Sequence, residues 1–225
     1  MPYSHEVYVR QRGLKALGFN PGIADGIDGR ATQRAFKASL AKSHGLSEAK
    51  ATNKDAAGYP PAPIARNKIS VFGPHGIKGG FTPKMSKVAV PWNMRYLKDG
   101  PKVSTISCHH LIATPLKGFM DEIYKTSGNA GILKYGFDLW AGCYAPRKSR
   151  GGSRMSDHAW AIAIDWNNEA NGNYQKWAPD RKMPNGTYQF SNKIVAIARK
   201  HGFQVGFKSG SGRRDMMHFA YVSRN

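Results

Sequence analysis

The stretch SDHAWAIAID, residues 156–165, places one imidazole and one carboxylate at the two ends of a short apolar segment. Large and small residues alternate over 160–165, a period of two that predicts a strand. In a continuous strand His158 would lie about 23 Å from Asp165, whereas two ligands of one metal ion have donor atoms only about 3.3 Å apart. The chain must therefore turn between 157 and 160 if both residues serve one site. The spacing alone favours a histidine at a strand edge.

The charge is strongly unbalanced, with 34 Lys and Arg residues against 14 Asp and Glu residues and a net charge of +20. Most of the excess lies after residue 56. It predicts attraction to a polyanion such as nucleic acid, lipopolysaccharide or a bacterial envelope. No apolar run approaches the roughly 20 residues that span a bilayer. Two cysteines, Cys108 and Cys143, make no disulfide framework, and the first residues lack a secretory signal, so we expect a protein kept in a reducing cytoplasm.

The N-terminal segment predicts two short helices, over 7–19 and 31–40, joined by a Gly- and Asp-rich turn at 25–29. Gly18 fits the end of the first helix. The matching positions are Gln11, Leu14, Leu17, Gly18, Phe19, Asp25, Gly26, Ile27, Gly29, Thr32, Ala35 and Phe36. Their pattern resembles the peptidoglycan-binding module of many cell-wall hydrolases, except that Lys37 stands where that family usually has Gln. The alternative is a generic helix pair.

Composition divides the chain into three segments. We assign 1–56 to the helical domain, 57–85 to a Pro-rich linker and 86–225 to a second domain, although 65–85 could pack on that domain. Periodicity in the second domain predicts helices over 111–124 and 190–200 and strands over 87–92, 203–207 and 218–222. The predicted fold class is α+β, with a central antiparallel sheet in the larger domain.

Two separated motifs carry a second resemblance. Ser156-x-His158 with Ala163-x-Asp165, followed by Asp215-x-x-His218-Phe219, resembles the D-alanyl-D-alanine carboxypeptidase-like zinc peptidases. That family includes vancomycin-resistance dipeptidases and phage L-alanyl-D-glutamate endolysins. The resemblance extends to Gly142-Cys143-Tyr144-x-x-Arg147 and Gly202-Phe203. This sequence departs from the family pattern by having Ala161 where glycine is common, and Asp215 where the dipeptidases have Glu.

The resemblance implies a site. His158, Asp165 and His218 would bind Zn²⁺, and Asp215 would be the catalytic acid and base. Arg147 would steady the substrate carbonyl or the developing oxyanion, which makes it both catalytic and substrate-binding. Ser156 would support substrate binding beside the metal.

The implied function is that of a phage endolysin that cuts peptidoglycan stem peptides. The first candidate for the bond that is cut is L-alanyl-D-glutamate, and the second is D-alanyl-diaminopimelate. We expect a monomer that waits in the host cytoplasm and reaches the cell wall through a membrane lesion. Its partners would be peptidoglycan and the anionic envelope, not nucleic acid. The alternatives are a metal-free cell-wall-binding protein and a basic nucleic-acid-binding protein.

Two other patterns receive structural interpretations. Cys108-His109-His110 suggests a metal cluster, but three adjacent residues do not easily converge on one ion, so we assign them to the core and a helix start. Ser156 near His158 suggests a serine hydrolase, but no Gly-x-Ser-x-Gly turn surrounds the serine.

Overall fold

The computed structural model describes residues 4–36, 39, 59–60, 62–64, 67–172, 174–208 and 214–223. Its helices are α1 (His5–Ala16), α2 (30–36), α3 (Lys68–Phe72), α4 (Ala113–Tyr135), α5 (Asn168–Asn171) and α6 (Asn192–Lys200). Its strands are β1 (Met85–Tyr96), β2 (Lys102–His109), β3 (Leu139–Gly142), β4 (Ala163–Trp166), β5 (Gln204–Lys208) and β6 (Arg214–Ala220). Residues His110–Ile112 and Asp157–Trp160 form 3₁₀ turns.

The described strands form one six-stranded sheet in the order β2-β1-β3-β4-β6-β5. All neighbours are antiparallel except β1 and β3, which run parallel. The parallel pair arises because α4 lies between β2 and β3 in the chain and returns it to the free edge of β1. The predicted α+β class is confirmed, and the sheet is antiparallel apart from this pair.

A cluster of aromatic rings fills the space between the sheet and the helices. Phe119 of α4, Trp166 of β4 and Phe219 of β6 are fully buried, and the last two rings lie 5.3 Å apart. Since side chains alternate along a strand, the preceding residues Asp165 and His218 point to the opposite face. One face of β4 and β6 thus packs in the aromatic core, and the opposite face carries the polar side chains of Asp165 and His218.

Helix α4 differs from its prediction at one glycine. The predicted helix over 111–124 continues in the structure to Gly128, which leaves helical geometry with φ 59° and ψ −174°. The chain then resumes helical geometry and ends only at Gly136, a left-handed cap. A glycine with positive φ therefore marks a kink here rather than an end.

The predicted helix over 7–19 is present as α1, and the motif residues around it have structural roles. Gly18, at φ 82°, ends α1, and the Phe19 amide donates to Leu14 O, as in a Schellman motif. The buried Gln11 amide donates to Asp25 Oδ1 and Thr32 Oγ1, each at 2.9 Å, and accepts from the Gly26 amide. The most specific residues of the pattern therefore hold the turn against α1.

The described residues of the segment assigned as linker contact the sheet domain. Phe72 is only 3% exposed within the main core. The Ser223 amide donates to Pro63 O at 2.8 Å, and the Tyr221 hydroxyl donates to Pro60 O. The domain boundaries stay a prediction, but α3 and the residues around it belong physically to the sheet.

Candidate metal centre

His158 lies on the 3₁₀ turn rather than on a strand. The Ser156 hydroxyl accepts a hydrogen bond from the His158 amide at 3.4 Å and caps the turn. Ala161 then adopts a left-handed conformation with φ 55° and ψ 36°, at a cost of about 1 kcal/mol for a residue with a Cβ. The predicted turn is confirmed. The predicted strand over 160–165 is wrong at its start, because Ala161 breaks it and β4 begins only at Ala163.

The turn brings His158 to two residues that face each other across the sheet. Asp165 on β4 and His218 on β6 are register partners. Asp165 Oδ2 lies 3.0 Å from His158 Nε2, and Asp165 Oδ1 lies 3.0 Å from His218 Nδ1. The three donor atoms lie within 4.8 Å of one another, and all three side chains are largely buried.

This donor set fits zinc. Two imidazoles and one carboxylate are ligands that zinc takes in catalytic sites, where a fourth position stays open for water or substrate. In the described part of the chain, no other cluster of three His, Cys, Asp or Glu residues converges in this way. Cys108 and His109 instead serve the core and a helix start, as expected: Cys108 is fully buried, and His109 caps the turn at 110–112.

The outer nitrogens of both imidazoles have their own partners. His158 Nδ1 lies 2.7 Å from Cys143 O, and His218 Nε2 lies 3.4 Å from Asp157 Oδ2. These contacts leave His158 Nε2 and His218 Nδ1 directed at Asp165. Such contacts fix the tautomer and the ring plane of a metal-binding histidine.

Electrostatics in the metal-free chain follow from this geometry. Burial acts to raise the pKa of Asp165, but hydrogen bonds from His158 and His218 outweigh it and the pKa falls below its ordinary value. The pKa of Asp157 is lowered in the same way, by His218 and Lys68 against burial. For His218, burial acts to lower the pKa, and the two carboxylates outweigh it and raise the pKa. Without metal, the cluster is an ion-paired network.

Asp215 is the buried carboxyl group beside this network. Its Oδ1 is buried and has no hydrogen-bond partner among the described residues. Burial is the main cause that raises its pKa to about 6; the charge of Asp165 adds to this, while those of His218, His158 and Arg150 oppose it. A carboxyl group with a pKa near neutrality exchanges a proton readily.

Strand β6 is irregular over the stretch that holds Asp215 and His218. Three residues apart, they would point to opposite faces of a regular strand. The pairing with β5 slips between Val205↔Phe219 and Phe207↔Asp215, so β6 has extra residues over this stretch. A bulge of this kind redirects side chains.

Arg147 lies at the rim of an open cavity of about 370 Å³ that reaches the centre. Its guanidinium is exposed and donates to Lys148 O at 3.2 Å. The cavity is lined by His158, Asp165, Arg147, Tyr96, Val103, Thr105, Ser107, Trp140, Ala141, Gly142, Cys143, Tyr144 and Ala145. Ser156 is buried; its hydroxyl caps the turn, and its amide donates to Arg147 O at 3.0 Å. The substrate-binding role inferred for it stays a prediction.

Two residues with no predicted role also belong to the site. Asp157 stands inside the SDHAWAIAID stretch, and its acidic side chain beside His158 was the available signal. Lys68 lies in the segment assigned as linker, and its Nζ lies 2.6 Å from Asp157 Oδ1. Nothing in the local sequence of Lys68 indicated this contact.

Residues 150–221 match the model of the D-alanyl-D-alanine carboxypeptidase family of peptidases. The matched range contains His158, Asp165, Asp215 and His218. It supports a peptidase domain of this type and does not reach residues 1–56. No curated protein and no solved structure matches the chain. No helix in the described part of the chain is long and apolar enough to cross a membrane.

Proposed function

We propose that this protein is a zinc-dependent peptidase that hydrolyses the stem peptides of bacterial peptidoglycan. The observation that carries the proposal is the convergence of His158, Asp165 and His218 within 4.8 Å, inside the range that matches the carboxypeptidase family. Zinc-dependent amide hydrolysis needs such a three-ligand site with an open position.

His158, Asp165 and His218 would hold the ion. When bound, zinc supplies Lewis acidity to the scissile carbonyl and to the attacking water. Asp215 accepts the proton of that water and returns it to the leaving amine, a role that its raised pKa favours. Each peptide bond cut thus consumes one water and leaves Asp215 as it began.

Arg147 is placed to bind the substrate. Its guanidinium lies at the mouth of the cavity, where five N–H donors can bind a carboxylate or a carbonyl oxygen of the stem peptide. Tyr96 and Trp140, whose ring centroids lie 5.7 Å apart, form an aromatic wall of the same cavity. A short peptide with charged and apolar parts fits this lining.

A modular endolysin is the biological role that we propose. The N-terminal motif supports a peptidoglycan anchor, and the net charge of +20 supports concentration at an anionic envelope. L-alanyl-D-glutamate is the first bond to test and D-alanyl-diaminopimelate the second. Storage in a host cytoplasm, with release through a membrane lesion, belongs to the same proposal.

The test is mass spectrometry of fragments released from purified sacculi, with and without a chelator. We expect new amino termini at one stem-peptide bond, abolished by chelation and restored by zinc. Intact sacculi, with retained binding to them, would favour a non-catalytic wall-binding protein. Intact sacculi with tight, steeply salt-dependent DNA binding would favour a nucleic-acid-binding protein.

A further inference from the structure

We infer that Lys68 and Asp157 form a positioning chain that holds the His218 imidazole in the metal centre. Both residues would act through His218, and neither is placed among the ligands. The inference rests on the proposed zinc site and extends it to α3, which precedes the family-matched range.

The contacts form a continuous line. Lys68 Nζ lies 2.6 Å from Asp157 Oδ1, and Asp157 Oδ2 lies 3.4 Å from His218 Nε2. The other nitrogen, His218 Nδ1, lies 3.0 Å from Asp165 Oδ1. Because Asp157 engages one side of the ring, the nitrogen on the other side is presented to Asp165 and the metal position.

Burial indicates that this ion pair does more than stabilise the fold. The Lys68 and Asp157 side chains are only 12% and 17% exposed, so both charges are largely removed from water. A buried ion pair is often no more stabilising than an apolar pair of similar volume. Lys117 and Asp121 make a similar contact at 2.5 Å on the surface of α4, with 60% and 48% exposure. The buried pair has a functional target within reach, namely His218.

Packing around α3 holds Lys68 in place. Its Nζ lies 4.3 Å from the centre of the Trp160 ring, and Trp160 Nε1 donates to Gly73 O at 2.9 Å. His109 Nε2 lies 3.1 Å from Phe72 O, and Phe72 is buried. Both ends of α3 are thus fixed against the turn that carries His158. The position of the ammonium group is set by packing, as a positioning role requires.

The experiment measures zinc affinity of the full chain by competition with a chromophoric chelator. Asp157→Asn keeps the side-chain volume but weakens the acceptor, and we expect zinc affinity to fall by about 10- to 100-fold. Lys68→Met keeps the packing on Trp160 and removes the charge, so we expect a smaller fall in zinc affinity than in Asp157→Asn, because Lys68 acts on His218 only through Asp157. Lys68→Arg should restore most of the affinity. Lys117→Met is the matched control and should leave it unchanged.

Two further readouts separate positioning from general stability. The absorption spectrum of the cobalt-substituted protein should change in Asp157→Asn and not in Lys117→Met, because only the former alters a ligand's orientation. Lys68→Met should have no added effect on zinc affinity in the Asp157→Asn background. If the ion pair were purely structural, substituting either residue would lower the urea midpoint of the metal-free protein and leave its zinc affinity and cobalt spectrum unchanged.

The outcomes distinguish this inference from the proposed function. Unchanged zinc affinity and cobalt spectrum in Asp157→Asn would overturn the positioning chain while leaving a peptidase intact. If Asp157→Asn weakened zinc binding but the wild-type protein cut no sacculi, the positioning chain would be supported and the proposed function overturned. A wild-type protein that binds no zinc would overturn both.

Discussion

Asp165 and His218 lie directly opposite each other on β4 and β6, with Oδ1 and Nδ1 3.0 Å apart, although 53 residues separate them in the chain. The next residue along each strand, Trp166 and Phe219, points to the other face of the sheet, where the two ring centroids lie 5.3 Å apart. One pairing register therefore sets both the core and the candidate metal centre. A shift of one residue would exchange the two faces.

Removing one ligand should remove the metal. We expect wild-type protein to bind one zinc per chain and His158→Ala to bind none at micromolar zinc, with sacculus hydrolysis lost at least 10²-fold. The measurements are elemental analysis after gel filtration and turbidity loss of sacculi. His5→Ala, a change at an exposed residue of α1, is the control. A fully active His158→Ala protein would contradict the site.

Removing the proposed proton carrier should leave the metal. Asp215→Asn should lower kcat by about 10²- to 10³-fold and keep one zinc per chain, since Asp215 is not placed among the ligands. Asp215→Glu should recover part of the rate, because it restores a carboxyl group. Loss of zinc from Asp215→Asn at unchanged folding would show instead that Asp215 is a ligand.

The raised pKa of Asp215 also predicts how stability depends on pH. Its folded-state pKa of about 6 exceeds the ordinary 3.8, so the fold disfavours the charged form. Below pH 4 the carboxyl group therefore leaves the free energy of unfolding unchanged. It lowers that free energy increasingly as the pH rises to 6, and by a constant amount above pH 6. In chelator, Asp215→Asn should gain stability over wild type across this window. Urea unfolding of both proteins at several pH values measures the gain.

The left-handed Ala161 predicts an unequal response to two similar substitutions. Ala161→Gly relieves backbone strain and should change the free energy of unfolding by less than about 1 kcal/mol. Ala163→Gly, at a buried position in β4, relieves nothing and should cost at least about 1 kcal/mol. Ala161→Val should cost more than about 2 kcal/mol, because a branched side chain fits neither the conformation nor the core. Equal costs for the two glycine variants would contradict this explanation.

The N-terminal motif predicts that binding and hydrolysis separate. Deleting residues 1–56 should weaken sedimentation with sacculi while leaving the hydrolysis rate of a short soluble stem peptide within about twofold. Gln11→Leu should weaken sacculus binding alone, because the Gly26 amide loses its buried acceptor, at a cost of about 1–3 kcal/mol. A deletion that also abolished peptide hydrolysis would show that the two parts depend on each other.

Sequence analysis predicted that His158, Asp165 and His218 converge and that the chain turns after His158, but not the backbone features that bring the three side chains together. His158, Asp165 and His218 were inferred from family resemblance, and the turn after His158 followed from distance alone. Periodicity could not show that Ala161 would be left-handed, so β4 was started too early. The slip in β6 was invisible because register depends on the partner strand. Lys68 was missed because its contact spans 89 residues, and composition placed it in a linker.

Because the proposed ligands and the core aromatic residues are neighbours on β4 and β6, binding of the proposed metal would also stabilise the fold. An ion that binds only the folded chain stabilises it by mass action, by about 2.7 kcal/mol at a free concentration 100 times its Kd. Metal binding would therefore stabilise β4 and β6, which carry Trp166 and Phe219, and also α4, which packs on these two residues. The melting temperature of the whole sheet domain should therefore report the free zinc concentration, and metal starvation would shorten the lifetime of the protein as well as silence it.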